Sequence, residues 1–156
     1  MGIRVFRPYE IGRPILTTQI GCFKVTSFDV PHNGTECRGF LIVADNKSIL
    51  YATDCEFIKY RFKTKMLDAM LIECNYQADR MTAENDHRSH VFLGHMELTT
   101  CRDFVAENAT DVLKTVILCH ASNSGGLDKE NAVRTVQAVV PQAKVYMARK
   151  GLEVEI

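Results

Sequence analysis

No apolar run in the chain approaches the ~20 residues that a membrane-spanning helix needs, and the N-terminus carries no hydrophobic stretch of the secretory kind. Phe6 stands where a myristoylation signal has a small hydroxyl residue. These absences point to a cytoplasmic protein with no membrane partner. Charge of neither sign prevails: 19 basic residues face 19 acidic ones. Bulk attraction to nucleic acid is therefore lacking, and binding would need a local patch. Among six cysteines there is no Cys-x-x-Cys pair, which argues against a zinc ribbon. Four of them lie in or beside apolar runs and read as small buried hydrophobes in a reducing compartment. Internal repeats and low-complexity segments are also missing.

What the chain has is hydrophobic residue, 46% of 156 positions. That suffices for a single domain over residues 1–156 with a sizeable core, and it is too much for disorder. Residues 1–20 read as an approach segment with one short strand. Residues 22–30 alternate as a strand ending at Pro31, which cannot donate to a ladder, and 32–35 read as a polar loop. Residues 39–44 and 48–53 form a hairpin about Asp45-Asn46-Lys47. Residues 57–65 interleave basic and aromatic side chains, a pattern that suits single-stranded nucleic acid or phosphate and also a plain amphipathic surface loop.

Further along, 69–74 and 115–119 read as buried strands and 76–85 as a helix. A second helix spans 97–108, with Leu98, Cys101, Phe104 and Val105 on one face and Thr100 three before Asp103 as a capping box. Asp128 is the natural N-cap of a third helix, with Val133, Val136 and Val140 inward and Pro141 as its stop. Residues 144–148 and 152–156 then read as a closing hairpin. Strand pairs followed by strands alternating with helices make an α/β layer.

Three hydrophobic runs end on residues that bind metals: residues 25–31 lead into His32, 50–53 into Asp54, and 116–119 into His120. Imidazole and carboxylate together suit zinc, manganese or iron, and a carboxylate can bridge two ions ~3.5–4 Å apart. His95 also follows an apolar segment. His87-x-x-His90 is spaced for one helical face and reads as surface.

In their order these motifs resemble the metallo-β-lactamase-fold hydrolases, in the bacterial and phage branch that acts on phosphodiesters. Val30-Pro31-His32-Asn33-Gly34-Thr35-Glu36 is similar to that branch's histidine, acidic residue and strand. Tyr51-Ala52-Thr53-Asp54 resembles its Ala-Thr-Asp-Thr-Gly, Glu73-Cys74-Asn75-Tyr76 its Glu-Ser-Asn-His, Leu93-Gly94-His95-Met96 its Gly-His-Leu-Ser, and Leu118-Cys119-His120-Ala121-Ser122 its Leu-x-His-Leu-Ser. The hallmark His-x-His-x-Asp-His is absent. From about residue 22 to 156 the chain thus looks like the C-terminal half of an αββα sandwich, a mixed β-sheet with flanking helices.

The resemblance implies a metal-dependent hydrolase of nucleic acid or cyclic nucleotides, working with two zinc or manganese ions. His32 and His120 would each hold one ion and Asp54 would bridge them. His95 would contact the phosphate or protonate the leaving oxygen, with Ser122 and Asn123 beside the substrate. The inner face of the half-sandwich would need cover from the missing N-terminal half or from a second copy of the chain. Two readings stand beside this one. The chain could be a non-catalytic half-fold kept for binding or assembly, or a nucleotide-binding domain using Asn123-Ser124-Gly125-Gly126 before the Asp128 helix.

Overall fold

The computed structural model describes residue 5 and residues 7–81, 93–122 and 126–156. Among these, seven strands form one mixed sheet whose spatial order is their chain order. They are β1 (Ile15–Ile20), β2 (Phe23–His32), β3 (Thr35–Ala44), β4 (Lys47–Ala52), β5 (Ala69–Glu73), β6 (Thr115–Cys119) and β7 (Lys144–Met147). The first four are an antiparallel meander, while β4 to β7 run parallel. Helix α1 (Leu98–Asn108) connects β5 to β6, and α2 (Lys129–Gln137) connects β6 to β7.

The meander is built on tight turns. Asn33-Gly34 has φ of 44° and 74°, and Asp45-Asn46 has 49° and 61°. Two successive positive φ values match the right-handed twist of flanking strands, and Asn, Asp and Gly are the residues that accept them. The first of these turns corrects the sequence reading. Residues 32–35 are a two-residue hairpin in which His32 pairs with Thr35, so β2 passes through Pro31 and β3 starts at Thr35. The proline is tolerated because β1 pairs no farther than Phe28. Its missing N–H falls on the vacated edge, where Asp29 N–H donates to Pro14 O at 2.9 Å.

One face of the sheet carries the core. Leu41, Leu50, Met70 and Val116 lie in register across four strands, and Ala52, Ile72 and Leu118 form the next row. Against them pack Leu98, Phe104 and Val105 of α1 and Ala132 and Val136 of α2. The crossover from β4 to β5 joins this layer through Ile58, Phe62 and Leu67. Phe62 N–H donates to Asn108 Oδ1 at 2.5 Å, which ties the crossover to α1. Gly39 is the point of closest approach: a Cβ there would stand 2.3 Å from Phe28 Cζ.

Other expectations are corrected too. Residues 76–81 are not helical apart from a 3-10 turn at Ala78–Arg80; Tyr76 instead bridges Glu97, and 82–85 lie outside the described residues, as do His87 and His90. The N-cap of α1 is Glu97, whose carboxylate accepts the Thr99 N–H, while Thr100 lies inside the helix. Asp128 caps α2 as the spacing predicts, accepting the Asn131 N–H at 3.0 Å. The closing hairpin does not form. β7 pairs parallel with β6, and residues 152–156 have no regular structure. All six cysteines are free. No described helix is long and apolar enough to cross a membrane.

Candidate metal centre

β4, β5 and β6 are parallel neighbours, so the residues that follow them share one rim of the sheet. In open α/β sheets this carboxyl rim is where ligands are mounted. Asp54 stands two residues beyond β4, Glu73 is the last residue of β5, and His120 comes directly after β6. Asp54 and His120 both hold left-handed backbone, with φ of 55° and 56°. Asp and His reach that region several-fold more often than most residues, and such conformations collect at functional sites.

His95 arrives from the segment before α1. That segment lies alongside the end of β5, because Asn75 N–H donates to Met96 O and Leu98 N–H to Tyr76 O, each at 2.9 Å. The donor atoms of Asp54, His95 and His120 lie within 4.8 Å of one another. His95 therefore joins the cluster that the sequence assigns to His32, Asp54 and His120. His32 stands one ring away, edge-on to His95 with centroids 5.3 Å apart, and its Nδ1 meets Gly94 O at 2.5 Å. His95 and His120 also meet edge-on, with centroids 5.0 Å apart.

Beneath these rings lies Glu73, whose organising role the linear motifs do not disclose. It has no exposed surface. Its Oε1 meets Nδ1 of His95 at 2.6 Å and Nδ1 of His120 at 3.1 Å, while Oε2 accepts the Cys55 N–H at 2.7 Å. A carboxylate only accepts, so both imidazoles carry their proton on Nδ1 and their lone pair on Nε2. An acidic partner behind ligating histidines is the usual means of fixing their tautomer and raising their basicity. Glu73 is nonetheless visible in the sequence as a lone acid closing the apolar run of β5. Asn75 completes the frame, donating from Nδ2 to His120 O at 2.7 Å.

Burial raises the thiols around the centre above the ordinary thiol range. Burial, aided by Glu73, pushes Cys119 up to about 11. Burial with Glu73 also lifts Cys55 far above the usual thiol range, and burial with Asp54 lifts Cys37.

The remaining candidates are placed as follows. Ser122 is held by its backbone, its N–H donating to Asn75 O at 3.0 Å, and Asn123 lies outside the described residues. So do residues 123–125 of the glycine-containing loop, and Gly126 O accepts the Gln77 N–H. The Asp128 carboxylate occupies the N-terminus of α2, where an anion would otherwise sit. The basic and aromatic stretch is largely engaged: Lys59 pairs with Asp29 at 2.9 Å, Tyr60 bonds the same carboxylate, and Arg61 pairs with Glu107 at 2.6 Å.

No family profile and no curated protein sequence matches the chain. Solved structures do. The metallo-beta-lactamase fold protein YhfI from Bacillus subtilis is 20% identical with a TM-score of 0.67, over 90% of this chain and 52% of its own. A diphosphatase of the PhnP family is 18% identical with a TM-score of 0.60, over 90% of this chain and 46% of its own. Zn(2+)-bound PqqB from Methylobacterium extorquens is 18% identical with a TM-score of 0.60, over 90% and 53%. At such identities the likeness shows the fold. The chain has the metallo-beta-lactamase fold, as the resemblance implies, and spans about half the length of these structures.

Proposed function

We propose that the chain supplies a metal-dependent hydrolase centre for phosphodiester substrates, with Asp54, His95 and His120 holding the ion. The observation that carries this reading is the convergence of their donor atoms within 4.8 Å, in a fold shared with a diphosphatase and with a zinc-bound protein. Three protein donors are the number found in catalytic zinc sites, which keep a further position for water or substrate. Two imidazoles and a carboxylate also suit manganese. A divalent ion there would polarise a phosphoryl oxygen and acidify bound water.

The chain's own residues set the stage for that chemistry. Glu73, by holding Nδ1 of His95 and of His120, leaves Nε2 of each ring as the ligating nitrogen. Asp54 and His120 are 44% and 40% exposed, so the outer side of the cluster is open to substrate. A second oxygen on Asp54 offers a bridge to a second ion, for which His32 is the flanking candidate. Ser122 and Asn123, following His120, are the candidates for contacting the substrate.

A partner layer belongs to the same reading. The sheet face opposite the helices carries Phe40, Tyr51, Leu71 and Ile117 in register across four strands, all of them half-buried or exposed. Uncovered apolar surface of that kind calls for a partner. We assign its cover to a second αβ layer, from additional polypeptide or from a second copy of the chain. Light scattering distinguishes the two, since a second copy doubles the mass.

Hydrolysis of bis-p-nitrophenyl phosphate, 3′,5′-cyclic nucleotides and oligonucleotides, with manganese or zinc added, tests the function. Activity is expected to need the metal and to disappear with chelator and in Asp54→Ala. Turnover indifferent to both rules the proposal out, and no turnover with either metal favours a non-catalytic binding or assembly role.

A further inference from the structure

The carboxyl rim continues one strand past His120. Leu118 pairs with Met147, and Ala148 N–H still donates to Leu118 O at 2.9 Å. His120 and Arg149 thus each follow that pair by two residues, just past the ends of adjacent strands that run ~4.8 Å apart. Between the end of β7 and α2 lies a cleft of about 540 Å³. Val133 and Met147, both half-buried, form its apolar part. Lys129, Arg134 and Arg149 line it as exposed cations, with Glu130 as the one carboxylate among its lining residues. None of the three cations makes a salt bridge with a described residue. The nearby Asp128 carboxylate is already engaged by Arg80 at 2.8 Å.

From this placement we infer that the cleft binds single-stranded nucleic acid leading away from the metal centre. The inference rests on the phosphodiesterase reading and narrows its substrate class. Three cations against one carboxylate attract the phosphates on either side of the scissile one, while Val133 and Met147 offer an apolar surface to a base. Because the chain as a whole is neutral, this attraction is local rather than general. A cyclic nucleotide, with its single phosphodiester, cannot occupy the centre and the cleft together. An oligonucleotide can.

The test is binding of a short fluorescein-labelled oligothymidylate to the whole protein, read by anisotropy with chelator present so that nothing turns over. The wild type is expected to bind, with an affinity that falls as salt rises. In K129E/R149E the affinity should drop at least about tenfold, and the salt slope should shallow by about 1.4 for two lost phosphate contacts. Zinc binding and KM for bis-p-nitrophenyl phosphate should be unchanged in that variant. The variant K24E/K65E makes the same charge change at exposed lysines in a separate cleft and should bind as the wild type does. No binding by the wild type, unchanged binding in K129E/R149E, or an equal loss in K24E/K65E would overturn the inference. A protein that binds the oligonucleotide yet hydrolyses no phosphodiester with metal present would instead sink the hydrolase reading and leave the cleft standing.

Discussion

Glu73 and His95 are joined at 2.6 Å, a carboxylate with no exposed surface holding an imidazole that is 14% exposed. The same oxygen also holds His120. One buried side chain therefore orients two of the three donors, and the centre is assembled from the inside of the molecule outward.

Glu73→Gln tests that arrangement. The amide oxygen would be needed by the Cys55 N–H, leaving the NH2 group against two imidazole nitrogens. Each ring would then turn its proton to Nε2, the position that has to ligate. Metal affinity should fall by about 10- to 100-fold, with secondary structure intact by circular dichroism. Titration calorimetry with zinc is the measurement, and undiminished affinity would show that the carboxylate does not orient the rings.

Metal binding should also appear as stability. A ligand at ~100 times its Kd adds about 2.7 kcal/mol, which for a chain of this size raises Tm by roughly 5–10 °C. Zinc or manganese should give such a rise in a thermal melt, chelator should reverse it, and Asp54→Ala should show little of it. A melt insensitive to metal would count against the three-donor cluster.

Gly39→Ala should destabilise the fold without touching the centre. The added methyl meets Phe28 Cζ and Cε2 at 2.3 and 2.4 Å. Phe28 cannot give way easily, being 2% exposed and packed on Tyr60 and Phe62. Overpacking of this kind costs about 1–3 kcal/mol. Phe28→Leu in the same chain should recover part of the loss in urea denaturation, because the two changes share one volume.

Asp128 links stability to acid pH. The Asn131 N–H holds its carboxyl below the usual value, against the opposing effect of burial and with help from Arg80 and Arg134. A carboxyl whose folded value is depressed stabilises the fold above the unfolded value, near ~3.9. That contribution is lost as pH falls through the folded value. Asp128→Ala should therefore be less stable than the wild type at neutral pH and converge with it in strong acid. Asp128→Ser should keep the cap but lose the acid dependence. Urea melts across pH 2–7 decide the point.

The hairpin at Asn33-Gly34 shows what a linear reading loses. Pro31 reads as a strand end because proline breaks ladders, yet β1 had already left that edge, so no ladder bond was there to break. The helix expected at residues 76–85 gives way for a related reason. Tyr76 and Leu98 exchange contacts across a long chain separation, and local periodicity contains no information about that pairing.

Apolar runs ending on His32, Asp54 and His120, the turn residues of the meander and the Asp128 cap were all legible in the sequence, because each depends on neighbours a few positions away. The rest was decided in three dimensions. Parallel pairing of β4, β5 and β6 set Asp54, Glu73 and His120 on one rim. Packing beside the end of β5 delivered His95 into the cluster and left His32 at its flank. The role of Glu73 exists only in the folded state, where burial leaves its carboxylate no water to accept from and two imidazoles in reach.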